Sequence, residues 1–149
     1  MKAGEIAPDF TLSDQFGKEF NLYENLKKNI LLIFYPKDNT PVCSTQLRDY
    51  QINIEKFIEL NVQPIAINIA DVDSHKSFCE EINVNFPVLS DKEKKVSELY
   101  EAINFLGMNK RMIVLVGKDR KIKMIKKMLP INYISTDELV KEIISLRIN

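Results

Sequence analysis

Hydrophobic positions along the chain fall into continuous runs, alternating stretches and helical stripes. Two continuous apolar runs, residues 29–35 and 62–70, are typical of strands buried on both faces of a sheet. In the second run we expect strand pairing to begin only after Pro64, which cannot donate to a ladder. Residues 8–22 predict two short strands with a turn at residues 15–17, and residues 111–128 predict a hairpin.

Helical periodicity fills the segments between these strands. A helix is expected to start at residues 40–43, because Pro41 suits a first helical turn and apolar side chains then recur at helical spacing: Cys43, Leu47, Tyr50, Ile54, Phe57 and Ile58. Three further helices are predicted, with capping residues near their starts: Asp73 or Ser74, then Ser90 or Asp91, and finally Ser135, which forms a capping box with Glu138.

The order of these elements predicts an α/β protein with a thioredoxin-like fold. Two strand–helix units imply parallel strands with right-handed crossovers, and the final hairpin adds an antiparallel edge. The result is a central mixed sheet flanked by helices, with an N-terminal β-hairpin extension. With 149 residues, the chain is expected to form a single domain over residues 1–149.

Composition and charge narrow the classes of partner. The 21 basic and 21 acidic residues cancel, so there is no electrostatic reason to expect nucleic acid or an anionic membrane as a partner. The N-terminus shows no apolar signal region, and no stretch approaches the ~18 apolar residues of a membrane span, so we expect a cytoplasmic protein. Two cysteines and one histidine are too few for a closed zinc site, and no metal or cofactor is predicted.

Cys43 stands where the first buried strand ends and a helix begins. Sites of open α/β sheets form beyond the carboxyl ends of strands. The unpaired amides of a helix start and a nearby cation, here Arg48 or Arg111, both lower the pKa of a thiol. Thr40, three residues earlier, would cap the helix or bind a ligand, and Pro36 would shield the sulfur from water. The alternative is a small core cysteine behind an ordinary threonine cap.

The second cysteine allows several interpretations. Cys79 lies between Phe78 and Ile82 on a predicted helix, which is compatible with a core residue. It also lies four residues after His75, a spacing that can hold a metal ion. Only two ligands are evident there, so a surface or capping histidine is the simpler interpretation. In a cytosolic protein the two thiols would be reduced at rest, and a disulfide would be transient.

The segment FYPKDNTPVCSTQ resembles the active-site segment of peroxiredoxins, in particular the PrxQ or bacterioferritin comigratory protein branch. The shared pattern is Pro-x-x-x-Thr-x-x-Cys, which Pro36, Thr40 and Cys43 meet. Further stretches follow the order of that family over most of residues 4–125. The arginine of the family's active site opens the strand before the last hairpin, and that position is Arg111.

This resemblance implies a thiol-dependent peroxidase acting on hydrogen peroxide and organic hydroperoxides. Cys43 would become a sulfenic acid while Thr40, Arg111 and the Cys43 amide hold the peroxide oxygens. As in atypical two-cysteine members, Cys79 would resolve that acid as an intramolecular disulfide. A thioredoxin or similar dithiol would recycle the enzyme, which is expected to be a monomer. The alternatives are a peroxide-responsive redox sensor or thiol-exchange protein, and a binding module without chemistry.

Three positions depart from the pattern of that branch. Arg48 occupies the place where many members carry their resolving cysteine. Val42 replaces a common glycine and is expected to narrow the pocket mouth or stiffen the turn. Gln46 stands where glutamate is frequent, which would weaken an ion pair with an arginine.

Overall fold

The computed structural model describes residues 1–148. Over that range the chain forms seven strands, five α-helices and one short 3-10 helix at Tyr23–Asn25. The strands are β1 (Thr11–Ser13), β2 (Glu19–Asn21), β3 (Asn29–Phe34), β4 (Val62–Asn68), β5 (Val88–Ser90), β6 (Arg111–Val116) and β7 (Ile122–Met128). The helices are α1 (Pro41–Ile52), α2 (Ile54–Glu59), α3 (Val72–Ile82), α4 (Lys95–Leu99) and α5 (Thr136–Ser145). None of the helices in this range is long and apolar enough to cross a membrane.

All seven strands join one mixed sheet in the order β2-β1-β5-β4-β3-β6-β7. The central strands β3, β4 and β5 are parallel neighbours, as the two strand–helix units predict. The β6–β7 hairpin extends the sheet antiparallel to β3. The N-terminal β1–β2 hairpin closes the other side by pairing antiparallel to β5. The predicted mixed α/β architecture is therefore confirmed.

Pairing in β4 includes Pro64, and the expectation that it starts after this residue is wrong. The parallel register with β3 runs from Val62 opposite Asn29, with Pro64 opposite Leu31. The amide of Ala66 points toward the β5 side, where it donates to the Pro87 carbonyl. Pro64 lies two residues earlier, so its nitrogen faces the same side, before β5 has begun. Its missing N–H therefore removes no ladder bond.

Alternating side chains of the buried strands separate two hydrophobic layers. Leu31, Ile33 and Tyr35 pack with apolar residues of α1, α2, α3 and α5. Ile30, Leu32 and Phe34 face the opposite layer, with α4 and the segment that follows β2. Both cysteines belong to the first layer. The helices that carry them therefore pack on the same face of the sheet.

One of the three predicted helix caps is confirmed. Ser135 accepts from the Glu138 amide at 3.3 Å, one of the two bonds of a capping box. The residue before α4 is Lys94, which makes no side-chain cap, but the Asp91 carboxylate accepts from the Ser97 amide in the first turn of that helix. The cap of α3, however, is Asp71 rather than Asp73 or Ser74, because the helix begins earlier and Asp71 accepts from the Ser74 amide at 2.8 Å.

Candidate active site

Cys43 lies in the first turn of α1, directly after the turn that follows β3. Thr40 precedes the helix with extended backbone, its carbonyl accepts from the Ser44 amide at 2.9 Å, and Pro41 occupies the first helical position. Proline is tolerated there because the first amides of a helix have no partner within it. Cys43 is only 1% exposed. Its sulfur therefore sits in an almost dry environment at the positive end of a helix.

The guanidinium of Arg111 is the cation beside this sulfur. Its Nη2 lies 3.2 Å from the Cys43 Sγ. Strand pairing explains the contact, because Met112 is the partner of Phe34 in the β3–β6 register, so the start of β6 lies beside the end of β3. Arg48, the other candidate cation, is exposed on α1. The structure therefore pairs Cys43 with Arg111 and not with Arg48.

The remaining partners of Arg111 are neutral acceptors. Nη1 donates to the Oε1 of Gln46 at 2.5 Å, and Nη2 also donates to the Pro130 carbonyl at 3.0 Å. Within residues 1–148, Arg111 forms no salt bridge with a carboxylate. Arginine stays protonated in proteins. The positive charge beside Cys43 is therefore not neutralised by a carboxylate within the described residues.

A short relay behind Gln46 fixes which end of its amide faces the arginine. The Gln46 Nε2 donates to the Tyr50 hydroxyl at 3.2 Å, and this hydroxyl donates to the Ile134 carbonyl at 2.6 Å. Burial raises the pKa of Tyr50 well above its ordinary value, so the hydroxyl keeps its proton. Because the Gln46 amide nitrogen donates to the Tyr50 hydroxyl, the amide oxygen points to Arg111.

The turn between β3 and α1 carries Pro36 and Thr40. The Thr40 hydroxyl donates to the Lys37 carbonyl at 3.0 Å and makes no capping bond to α1. A hydroxyl that donates one hydrogen bond keeps lone pairs that accept others. Pro36 and Thr40 both line a cleft of about 510 Å³, which also includes Met108. The structure thus places these two residues at a solvent-connected cavity next to the start of α1.

Val42 lines a smaller cleft of about 300 Å³ together with Pro41, Thr45 and Tyr133. Its side chain therefore contributes to a cavity wall.

The structure adds a cluster that we did not predict from the sequence. His75 is fully buried, so its interpretation as a surface or capping residue is wrong. Its Nδ1 lies 2.8 Å from the Oδ2 of Asp38, in the middle of the Pro36–Thr40 turn. The signal was present in the helical stripe of α3, because His75, Phe78, Cys79 and Ile82 share one buried face.

Electrostatics keep Asp38 ionised within this cluster. Burial alone would raise the pKa of Asp38. The hydrogen bond and charge of His75, together with hydroxyl bonds from Tyr35 and Ser74, outweigh burial, and the pKa of Asp38 falls below its ordinary value. The turn that carries Thr40 thus contains a buried carboxylate.

Cys79 is a free thiol, as is Cys43, and it is 3% exposed. Burial raises the pKa of Cys79 to about 12, and the negative charges of Asp38 and Asp14 act in the same direction. Cys79 is therefore protonated at neutral pH. Among residues 1–148 there is no group of three or more His, Cys, Asp or Glu side chains arranged to hold a metal ion.

The sequence and the fold both match known proteins. Residues 3–125 match the AhpC/TSA family, which is most of the chain. The chain belongs to the AhpC/TSA family and is a peroxiredoxin. As a peroxiredoxin, it is a thiol-dependent peroxidase, an oxidoreductase.

Individual relatives place this peroxiredoxin near the predicted branch. It is 35% identical over 119 residues to the putative peroxiredoxin bcp of Helicobacter pylori strain J99, which covers 80% of this chain and 74% of that protein. It is 40% identical over 96 residues to the chloroplastic peroxiredoxin Q of Arabidopsis thaliana, covering 64% of this chain and 44% of that protein. The resemblance to the Bcp and Q peroxiredoxins is therefore confirmed.

Solved structures agree with the fold. The crystal structure of peroxidoxin BcpB from Mycobacterium tuberculosis superposes on this peroxiredoxin with a TM-score of 0.85 at 27% identity, covering 99% of this chain and 97% of that one. The thioredoxin-like fold predicted from the order of elements is confirmed by this match.

Proposed function

We propose that this peroxiredoxin reduces hydrogen peroxide and organic hydroperoxides through a sulfenic acid on Cys43. Cys79 then resolves this acid as an intramolecular disulfide, and a thioredoxin-type dithiol restores both thiols. The observation that carries the proposal is the 3.2 Å contact between the Arg111 guanidinium and the Cys43 sulfur at the start of α1. A helix start and an unneutralised cation are the two features that keep a sulfur ionised.

In the first step the Cys43 thiolate attacks the nearer oxygen of the peroxide. A sulfur–oxygen bond forms and the O–O bond breaks, so the sulfur is oxidised to a sulfenate and the other oxygen leaves as water or an alcohol after taking up a proton. We assign the orientation of the two oxygens to Arg111, the Thr40 hydroxyl and the Cys43 amide. Their hydrogen bonds would stabilise the charge that develops on the leaving oxygen. Pro36 would keep water from the sulfur.

One unused donor supports this assignment. The Nε–H of Arg111 is buried and has no hydrogen-bond partner within residues 1–148. An unpaired donor in a dry site carries a desolvation penalty of about 1–3 kcal/mol, which a bound peroxide oxygen would remove. The guanidinium therefore has one N–H donor that is not engaged by the sulfur, Gln46 or Pro130.

In the second step Cys79 attacks the sulfenic acid and releases water, forming the disulfide. The attacking species must be a thiolate, yet with a pKa of about 12 only about one Cys79 in 10⁵ is ionised at neutral pH. Both cysteines are buried on separate helices of the same layer. We therefore propose that the first turn of α1 unwinds and that Cys79 is exposed before the two sulfurs meet.

In the last step a dithiol transfers two electrons to the disulfide by thiol–disulfide exchange, which regenerates both thiols and oxidises the donor. The competing proposal is a redox sensor or thiol-exchange protein. Such a protein would undergo the same first oxidation but would not consume peroxide continuously with a dithiol donor. Action as a single-domain monomer in the cytoplasm remains a prediction.

The proposal is tested by intact mass of the reduced protein after one equivalent of peroxide, with and without a sulfenic acid trap. We expect a trapped adduct on Cys43 at early times and a disulfide with Cys79 later. NADPH consumption with thioredoxin and thioredoxin reductase should be continuous in the wild type and absent in Cys43→Ser. Rapid oxidation without turnover would support the sensor instead.

A further inference from the structure

A buried carboxylate in the active-site turn accepts four hydrogen bonds. The Oδ1 of Asp38 accepts from the Tyr35 hydroxyl at 2.5 Å and from the Asn68 amide at 3.2 Å. Its Oδ2 accepts from the Ser74 hydroxyl at 2.7 Å and faces the His75 Nδ1 at 2.8 Å. The peroxidase steps above use none of these residues. A carboxylate held this completely by other elements is a structural anchor for the turn that contains it.

The partners of His75 determine its protonation state. Its Nε2 lies 3.1 Å from the Leu89 carbonyl, which only accepts, so this nitrogen carries a proton. Its Nδ1 faces Asp38, whose oxygens already accept from three other donors and which is therefore favoured as the ionised carboxylate. Hence Nδ1 also carries a proton. His75 is a fully buried imidazolium, paired with a buried carboxylate.

This ion pair joins the turn to α3. Asp38 lies midway between Pro36 and Thr40, and the Thr40 hydroxyl is bonded to the carbonyl of Lys37 in the same turn. His75 belongs to α3, whose Asp71 cap and buried stripe hold it against the sheet. The position of the turn, and of the first turn of α1 that follows it, is therefore set from α3.

We propose that His75 is a positioning residue of the peroxidase: its doubly protonated ring holds Asp38 and, through Asp38, the turn that presents Thr40 to the peroxide. The inference rests on the proposed function of Cys43 as the peroxide-reactive thiol. His75 touches neither the sulfur nor the substrate. If the Nδ1 of His75 loses its proton, a nitrogen lone pair faces the Asp38 carboxylate. If the Nε2 loses its proton, the hydrogen bond to the Leu89 carbonyl is lost. In either case His75 no longer holds the turn in place.

Other titratable groups lie near His75. Tyr35 reaches it from the end of β3, and burial and the charge of Asp38 raise the pKa of Tyr35 well above its ordinary value. On α3 itself, burial raises the pKa of Cys79 to about 12. The carboxylates of Asp38 and Asp14 both raise the pKa of Cys79. Tyr35 and Cys79 therefore both stay uncharged at neutral pH.

The protonation state is directly measurable because His75 is the only histidine in the chain. In protein labelled with ¹⁵N-histidine, the two ring nitrogens should both show the chemical shifts of protonated nitrogens at neutral pH. On raising the pH they should report a single titration. A neutral ring at neutral pH in the reduced, folded enzyme would overturn the inference.

The link to catalysis is tested by the pH profile of the first oxidation. The chain has no tryptophan, so Cys43 oxidation is followed by rapid quench, alkylation and mass spectrometry. In the wild type the second-order rate constant should fall at the pH where His75 titrates, by about tenfold, since small misplacements of a reacting group cost up to about 10²-fold. His75→Gln should be slow already at neutral pH and lack this fall. Lys76→Gln, which removes an exposed charge from the same helix, should behave as the wild type.

The outcomes separate this inference from the proposed function. If Cys43 of the wild type reacts no faster than free cysteine, the peroxidase assignment itself fails. If it reacts fast but His75→Gln and Asp38→Asn keep the wild-type rate and pH profile, only the positioning role fails. If either variant does not fold, the test uses the wild type alone. The pH at which the NMR signals show His75 losing a proton should equal the pH at which the rate constant falls, and a mismatch between these two pH values contradicts the inference.

Discussion

The Arg111 guanidinium lies 3.2 Å from the sulfur of Cys43, although 68 residues separate them in the chain. The contact arises because β3 and β6 are hydrogen-bonded neighbours, which brings the end of one strand beside the start of the other. Both strands are fully buried. The Cys43 thiol at the start of a helix and the Arg111 guanidinium at the start of a strand are thus both held by rigid elements. Their relative position is therefore fixed before a substrate binds.

Replacing Arg111 by lysine should slow the oxidation of Cys43. Lysine keeps the charge, but its compact ammonium group lacks the planar fork with which the guanidinium contacts the sulfur, Gln46 and the Pro130 carbonyl at once. Loss of one oriented donor typically reduces a rate by ~10²–10³, and we expect a decrease of about that size in the second-order rate constant. Arg48→Lys, on the exposed face of α1, is the matched control and should retain the wild-type rate. Equal rates in both variants would show that Arg111 does not take part.

Replacing Gln46 by glutamate should slow the oxidation of Cys43 by peroxide. The new carboxylate would pair with Arg111, and its negative charge would oppose the charge that develops on the leaving oxygen. The measurement is the second-order rate constant for oxidation of Cys43 at neutral pH, in a Cys79→Ser background. Ile52→Glu adds the same charge at an exposed position of α1 and should leave the rate unchanged. An unaltered rate in Gln46→Glu contradicts this role for a neutral partner.

Replacing Cys79 by serine should leave the first oxidation intact and abolish the disulfide. The pH dependence of disulfide formation in the wild type then tests the opening step. If Cys79 attacked from its buried site, the rate would rise tenfold per pH unit toward its pKa of about 12, because its thiolate fraction does so. Attack after exposure should instead level off near the ~8.5 of an ordinary thiol. We predict the second profile, measured by quenched mass spectrometry.

The elements and the position of Cys43 at a helix start were predictable because their signals are local. The apolar run of β3, Pro41 and the stripe containing Cys43 all lie within one short segment, and that segment also carries the family pattern. The distant cation was predictable only in part. The family resemblance pointed to Arg111, but its bond to the Pro130 carbonyl depends on where the segment after β7 runs, and no motif encodes that path.

The polar cluster escaped prediction for a different physical reason. A histidine on a helix is usually exposed, and its burial depends on a carboxylate 37 residues away. His75 shares the spacing of the buried residues of α3, but only the assembled turn supplies the Asp38 partner that makes burial of its charge possible. The effect of Pro64 on strand pairing was misjudged for a similar reason. The register of the strands, and not the local sequence, determines which side of β4 its nitrogen faces.

The depressed pKa of Asp38 predicts a loss of stability in acid. A carboxyl group whose pKa is lower in the folded state contributes stability above its unfolded value of ~3.9, and this contribution disappears as the pH falls through the folded value. Asp38→Asn should therefore lower the free energy of unfolding by about 3 kcal/mol at neutral pH, because it removes one member of a buried pair. The difference from the wild type should shrink below pH ~4. Urea unfolding of both proteins at neutral pH and below pH ~4 measures this difference in the free energy of unfolding.

Asp73→Asn changes an exposed carboxylate of α3 and provides the comparison. It should be within about 0.5 kcal/mol of the wild type at both pH values. A deficit of Asp38→Asn that stays constant with pH would mean that the carboxylate is not ionised in the folded protein.

The most direct test of the account is the rate at which Cys43 reacts with hydrogen peroxide at neutral pH, measured by rapid quench in the Cys79→Ser variant and compared with free cysteine under the same conditions. The account predicts a second-order rate constant several orders of magnitude above that of free cysteine, with the sulfenic acid trapped on Cys43 alone. A rate equal to that of free cysteine would contradict it.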